Sequence, residues 1–303
     1  MNSELSLTLI AKHISNEAIS ALQQSAKNIP IDLGNHTMLS DGGKLGIQAI
    51  SFTFQSLGRE ETIRAICHKY SQEWQIDAII QRHNQATIKL ACFDMDSTLI
   101  QAEVIDMLAV QAGIGEQVAE ITEQAMQGKL DFNQSFTKRM GLLKGLDANV
   151  IEQIIKEIPI MDGADRLFKN LYKHKVHTAI LSGGFEVFAN DLQKRFKIDT
   201  VVANTLEIEN GKLTGNVVPP IINAEQKRDA LLNLCQQYEL NESQAMAVGD
   251  GANDLKMINK AGLGVAFKAK LIVQEQASIA LNHNGLDALL FLMGFNEQQI
   301  DAE

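Results

Sequence analysis

Four short segments of this sequence bring together residue types that can do chemistry. The first is Asp94-Met95-Asp96-Ser97-Thr98-Leu99, with two carboxylates two residues apart. Both would face a site if a strand stops there, and both would equally serve a turn with a helix cap. The second is Ser182-Gly183-Gly184, a hydroxyl beside unobstructed backbone N–H groups, which suits an anionic oxygen. On its own it reads better as a plain turn. The third is Lys227, near the start of a helical pattern over 223–236; a lone surface lysine is normally solvated and inert. The fourth is Gly249-Asp250-Gly251-Ala252-Asn253-Asp254. Its carboxylates suit a hard cation, and its glycines allow close approach.

These segments sit at the ends of regular elements. Apolar strands are predicted at 88–93, 176–181, 199–203, 245–249 and 263–267, alternating with helices. The first, second and fourth run into Asp94, Ser182 and Gly249, and such alternation argues for a parallel sheet covered on both faces. In sheets of this kind chemistry gathers at the carboxyl ends of the strands. Residues 104–157 interrupt the alternation with helical patterns only, and read as a cap or lid. Asn210-Gly211 between Leu-Glu-Ile-Glu and Lys-Leu-Thr predicts a hairpin. Upstream, 5–10, 47–55 and 77–82 read as strands and 16–27 and 59–74 as helices, a mixed pattern suited to a small α+β domain. His83-Asn84-Gln85-Ala86 is a polar linker candidate, which divides the chain into 1–85 and 86–303.

Composition narrows the partners. The chain has 303 residues, 45% hydrophobic and 21% charged, with a formal net charge of -10. That is ordinary for a globular protein and argues against nucleic acid, whose phosphates demand a basic footprint. An acidic protein that binds an anion must supply positive charge locally, from a few Lys or Arg or from a metal. Cys67, Cys92 and Cys235 are scattered, with no redox or zinc spacing, and fit buried thiols in a reducing compartment. Met1-Asn2-Ser3-Glu4 does not read as a signal peptide, and no apolar run approaches the ~20 residues of a membrane helix. A cytoplasmic protein is expected.

Taken jointly, the four segments resemble the haloacid dehalogenase superfamily, whose pattern is DxD[ST], then Ser or Thr, then Lys, then an acidic GDxxxD loop. The resemblance covers residues 88 to about 290 and implies a Rossmann-like α/β core with a helical cap. It implies an aspartyl-phosphate route with Asp94 as nucleophile and Asp96 as the acid that protonates the leaving oxygen, then activates water. It also implies Mg²⁺, held by Asp94, Asp250 and the Asp96 carbonyl, with Asp254 orienting a water or Lys227. Ser182, Gly183, Lys227 and Asn253 would steady the phosphoryl oxygens.

The cap suggests a substrate. Glu103 opens a helix over 104–111, where an acid normally serves the helix dipole. Asp131 can cap a helix on which Phe132 and Arg139, seven residues apart, share a mostly apolar face. An Arg there either snorkels to solvent or meets an anion. A free amino acid offers one ammonium for Glu103 and one carboxylate for Arg139. The run from Met126 to Arg139 resembles the lid of the phosphoserine phosphatase family. In that family residues at the positions of Glu103 and Arg139 hold the serine, and Met126 and Phe132 match its apolar contacts. The implied reaction is hydrolysis of O-phospho-L-serine, the last step of serine biosynthesis. Competing readings are a phosphatase for another small ester, a phosphotransferase using an alcohol such as homoserine, and a non-catalytic amino-acid sensor. The N-terminal order resembles the ACT-type, ferredoxin-like domains that some family members carry. A regulatory, structural or homodimerising role is open for it.

Overall fold

A computed structural model describes residues 3–302. The reading of the N-terminus as no signal peptide rests partly on Met1 and Asn2, which lie outside the described residues.

The chain begins with β1 (Glu4–Ala11), α1 (Asn16–Lys27), β2 (Thr37–Asp41), β3 (Gln48–Gln55), α2 (Glu60–Trp74) and β4 (Asp77–Arg82). The strands form a four-stranded sheet in the order β2-β3-β1-β4, all neighbours antiparallel. Alternation explains its main core. Leu5, Leu7 and Leu9 share a face with Ile50, Phe52, Phe54 and Ile80 and pack against Ala18, Leu22, Ile63 and Cys67 of the two helices. Ser15 caps α1, accepting from Ala18 N at 3.1 Å. The opposite face is also covered at one end. Ile10, Ala49 and Ile79 join the large apolar cluster of the rest of the chain.

The second sheet has six parallel strands in the order β12-β11-β10-β5-β6-β7. They are β5 (Leu90–Phe93), β6 (His177–Phe185), β7 (Thr200–Asn204), β10 (Ala245–Gly249), β11 (Leu263–Phe267) and β12 (Ile279–Leu281). Both faces are buried, so β5 reads as an unbroken apolar run. Ala91 and Phe93 face α7 (Ala164–Lys173) and α8 (Glu186–Phe196), whereas Leu90 and Cys92 face α9 (Ala224–Gln237) and α10 (Leu255–Ile258). Burial pushes the Cys67 thiol up to about 12, and all three cysteines are free and buried.

Between β5 and α7 stands the cap: α3 (Val104–Gln111), α4 (Gly115–Met126), α5 (Phe132–Leu142) and α6 (Val150–Glu157). The hairpin β8 (Leu206–Glu209) and β9 (Lys212–Val217) turns through Asn210 and Gly211, at φ 50° and 76°, the left-handed pair such a turn requires. It is stitched to the cap. Leu213 N donates to Leu146 O at 2.9 Å, Gly145 N to Leu213 O at 2.8 Å and Ala148 N to Gly211 O at 2.9 Å. α11 (Leu271–Gln276) joins β11 to β12, and α12 (Leu289–Leu292) leads into a tail that returns to the first sheet. There Glu297 N donates to Leu39 O at 2.8 Å, and Gln81 Nε2 donates to Leu292 O at 3.2 Å. Among the described residues no helix is long and apolar enough to cross a membrane.

Candidate active site

β5 ends at Phe93, and Asp94 N still donates to Val248 O of β10 at 2.9 Å. This fixes Asp94 over the carboxyl end of the sheet. Its Oδ1 accepts from Met95 N at 2.7 Å and from Lys227 Nζ at 2.8 Å. Oδ2 has no such partner among the described residues. Lys227 enters from the first turn of α9, which Asn223 caps by accepting from Glu225 N and Gln226 N. The lysine is wholly buried, and its second bond reaches Asp254 Oδ1 at 2.7 Å. Burial pulls its pKa down, but Asp254 and Asp94 more than reverse this, so the amine is held as ammonium. Asp254 Oδ2 also accepts from Gly251 N at 3.0 Å. A Cβ on Gly249 would fall 2.4 Å from Asp254 Cγ, so glycine is required where strand and loop touch.

Asp94, Asp250 and Asp254 each bring a carboxylate oxygen within 4.8 Å of the others. Burial, then Asp94, pushes Asp254 up to about 7. Burial, then Asp94 and Asp254, pushes Asp250 up to about 8. Lys227 bonds Asp94 and Asp254, and Asp250 makes no ion pair among the described residues. A hard, oxygen-seeking divalent cation fits this donor set. Asp96 sits beside it, accepting from Val104 N at 3.3 Å. Burial, then Glu103 and Asp94, raises its pKa well above the carboxylate range.

The tip of β6 supplies the opposite side. Ser182 is buried, and its Oγ accepts from Gly184 N at 2.9 Å. Asn204 Nδ2 donates to Gly183 O at 2.8 Å and steadies the tip. Added Cβ atoms would meet Phe132 Cζ at 2.9 Å from Gly183 and Asp96 Oδ2 at 2.7 Å from Gly184. The glycines therefore let the cap and the acid approach together.

The cap forms the wall. A capping box starts α5: Asp131 accepts from Gln134 N at 2.8 Å and Gln134 Oε1 from Asp131 N at 3.0 Å. Phe132 stacks on Phe136, which leans on Phe185 of β6. Arg139 Nε is buried without a hydrogen-bond partner among the described residues. Burial draws its pKa down, while Asp106, Glu103 and Asp96 oppose the shift. Glu103 occupies the N-cap of α3 yet makes no capping bond. Its Oε1 instead accepts from Ser97 Oγ at 2.7 Å. Surrounding protein desolvates it and raises its pKa, with Asp94 and Asp106 adding to the effect, although the side chain stays open to the cleft.

One cleft of about 1060 Å³ joins these groups, lined by Asp94, Asp96, Glu103, Arg139, Ser182 and Asp250 among others. Met126, Phe132, Gly183 and Asn253 line it too, whereas Lys227 and Asp254 lie beneath its floor. Three contributors escaped the sequence reading. Ser97, at φ 54°, orients Glu103; its position inside the DxDST run was the available signal. Asn223, an N-cap candidate by residue type, donates to Asn133 Oδ1 of α5 at 3.1 Å and ties core to cap. Lys270, at the lip, carried no signal at all.

A family model for haloacid dehalogenase-like hydrolases matches residues 88–262. The phosphoserine phosphatase SerB2 of Mycobacterium tuberculosis is 42% identical over 236 residues, 77% of this chain and 58% of that protein. The chain thus matches under two thirds of that relative's length. The phosphoserine phosphatase of Saccharomyces cerevisiae is 34% identical over 305 residues, with 98% of each protein covered. In three dimensions a HAD family hydrolase of Salmonella enterica serovar Typhi superposes with a TM-score of 0.88 at 32% identity, covering 97% of this chain and 99% of that one.

Proposed function

The chain belongs to the haloacid dehalogenase-like hydrolases, and we propose that it is a phosphoserine phosphatase working through phosphorylation of Asp94. The observation that carries the substrate is Arg139. A guanidinium with a buried, unpartnered Nε faces a cleft that also holds Glu103 and Asp94. A buried donor without an acceptor costs about 1–3 kcal/mol, so such a group awaits an anion. The serine carboxylate fills that need, the ammonium meets Glu103, and the phosphate reaches the floor.

Asp94 Oδ2 attacks phosphorus, and the bond to the serine oxygen breaks. Asp96, kept protonated by its neighbours, gives its proton to that oxygen as serine leaves. The resulting Asp96 carboxylate takes a proton from water, whose oxygen attacks the phosphoryl group on Asp94 and restores the enzyme. The Ser182 hydroxyl, the Gly183 N–H and Asn253, which line the cleft, would hold phosphoryl oxygens. Lys227 holds Asp94 in place from below through its bond to Oδ1. Mg²⁺ would be held by Asp94, Asp250 and the Asp96 carbonyl, and when bound it supplies positive charge against the phosphate dianion. Asp254 stays with Lys227.

The reading includes an N-terminal domain over 1–85, a phosphatase domain over 86–303 capped at 104–157, and residence in the cytoplasm. A homodimer through the N-terminal sheet would have to use its helices or the part of edge strand β2 that Glu297 does not bond, because Ile10, Ala49 and Ile79 are already covered by the same chain. The test is a phosphate-release screen over small phosphate esters, with Mg²⁺ and with chelator, and with added alcohols. Phosphoserine should be preferred, chelator should abolish release, and alcohols should not divert the phosphoryl group. Preference for an ester without an amino-acid moiety would refute the assignment.

A further inference from the structure

One lip of the cleft is α11 with the residue before it, which brings Lys270, Ile272 and Val273 to the lining. Burial holds this lip weakly. Of the six residues of α11 only Val273 is buried, while Leu271 and Ile272 are 66% and 61% exposed. A helix so short does not sustain itself in water. Its tethers are polar. Gln274 Nε2 donates to Ala269 O at 2.6 Å, and Gln274 Oε1 accepts from Asn282 Nδ2 at 3.0 Å.

Asn282 opens the loop after β12, and that loop is gripped from the other sheet. Asp77, the first residue of β4, is wholly buried. Its carboxylate accepts from the backbone N–H groups of Asn282 at 2.6 Å, His283 at 3.1 Å and Asn284 at 3.1 Å. It also accepts from Asn284 Nδ2 at 2.7 Å. Successive N–H groups converging on one anion form a nest, an arrangement with a single well-defined geometry. On the other flank of β12, Arg64 Nη1 of α2 donates to Ser278 O at 3.2 Å.

The geometry points to Asp77 as a positioning residue for the active site: through Asn282 and Gln274, the N-terminal sheet sets where the α11 lip stands. The lip carries no reacting group. It does carry Lys270, whose Nζ lies 3.8 Å from Met126 Sδ of the cap and pairs with no carboxylate among the described residues. An unpaired cation at the mouth of an acidic cleft attracts an incoming anion. Displacing the lip should therefore weaken substrate capture and leave the chemical step alone. The kinetic part of this inference rests on the phosphoserine reading; the structural part does not.

The experiment compares Asp77→Asn, Gln274→Ala and the double variant of the full chain with Mg²⁺. It measures KM and kcat on phosphoserine together with amide hydrogen exchange over 271–284. Asp77→Asn turns an amide N–H₂ toward the converging N–H donors. It should raise KM about tenfold, the scale on which partners behind a site tune it, with kcat within about twofold. Gln274→Ala leaves the contacts between the sheets untouched and should reproduce both the KM rise and faster exchange in 271–276. The double variant should be no worse than the stronger single one, because one relay is broken twice. Wild-type KM and exchange in Gln274→Ala, or fully additive losses, overturns the relay. If Asp77→Asn does not fold, Gln274→Ala with Asn282→Ala carries the same comparison. Faster exchange in a protein inactive on phosphoserine would overturn the substrate reading while keeping the tether.

Discussion

Replacing Arg139 by alanine separates recognition of an amino acid from recognition of a phosphate. The side chain is half-buried and its Nε has no protein acceptor, so a bound carboxylate would be its main partner. Truncating one member of a desolvated charge pair costs about 2–5 kcal/mol. Partial exposure of Arg139 places it at the lower end, about 2–3 kcal/mol, which is a loss of about 30- to 160-fold in kcat/KM at 1.36 kcal/mol per decade. Losing a positive charge beside Glu103, Asp106 and Asp96 also makes the cleft more repulsive to any phosphate. That second effect is common to all esters. Phosphoethanolamine keeps the ammonium and the phosphate but has no carboxylate, so it reports the common effect alone. Its loss should be about threefold or less, the scale of a partly screened charge. Steady-state phosphate release on both esters, for wild type, Arg139→Ala and Arg139→Lys, gives the ratio. Lysine restores charge without the planar fork and should recover only part of the discrimination. Equal losses on the two esters would remove Arg139 from substrate recognition.

Asp94→Asn should abolish phosphate release, and acid quenching during turnover of ³²P-phosphoserine should label the wild type and not the variant; label on the variant would move the nucleophile elsewhere. Gly184→Ala places a methyl 2.7 Å from both Asp96 Oδ2 and Met95 Cε, so kcat should fall about 100-fold, the cost of roughly an ångström of misplacement, and an unchanged kcat would show that Asp96 need not stand there. Without a divalent cation, stability should fall as pH rises from about 4 to about 8, since Asp250 at about 8 and Asp254 at about 7 bind protons in the folded state that the unfolded chain, near 3.8, has released. Mg²⁺ should therefore raise Tm more at pH 8 than at pH 5.5, and a larger rise at pH 5.5 in a thermal melt would contradict the assignment of the acidic cluster as its site.

The parts of this molecule that depend on local pattern could be read from the chain. The alternation in β1 and β3, the buried run of β5 and the Asn210-Gly211 turn each follow from residues next to one another. The resemblance to ferredoxin-like domains implied a further strand between α1 and β3, but nothing in Thr37–Asp41 located it. β2 is short, has an irregularity between Met38 and Ser40, and is held by β3 and Glu297, which are distant in sequence. β12 has three residues and exists because β11 pairs with it. The stitching of the hairpin to the cap by Leu213 and Leu146 uses backbone groups, which no side-chain pattern reveals. Arg139 and Glu103 had two readings each until their partners were known: Glu103 bonds Ser97 rather than a helix end, and Arg139 neither reaches a carboxylate nor fully escapes the protein. Asp77 gave no sign at all, because the N–H groups it accepts from are more than 200 residues away.

The charge on the cleft floor explains why substrate and cation should depend on one another. Asp94, Asp96, Asp250 and Asp254 crowd together in a protein whose net charge is already -10. The buried ammonium of Lys227 bonds Asp94 and Asp254 and reaches Asp250 only as a more distant charge. With protons on Asp250 and Asp254 the floor offers a phosphate dianion no cation beyond the shared Lys227 ammonium, and a cation entering alone must displace the protons that these two hold near neutrality. Each makes the other's entry less costly, because opposite charges are attracted most strongly where water is excluded. Linkage then demands reciprocity: whatever factor Mg²⁺ adds to the affinity for a phosphate-bearing ligand, the ligand adds to the affinity for Mg²⁺. The carboxylates are thus what would make the complete site favour an ester and a cation together.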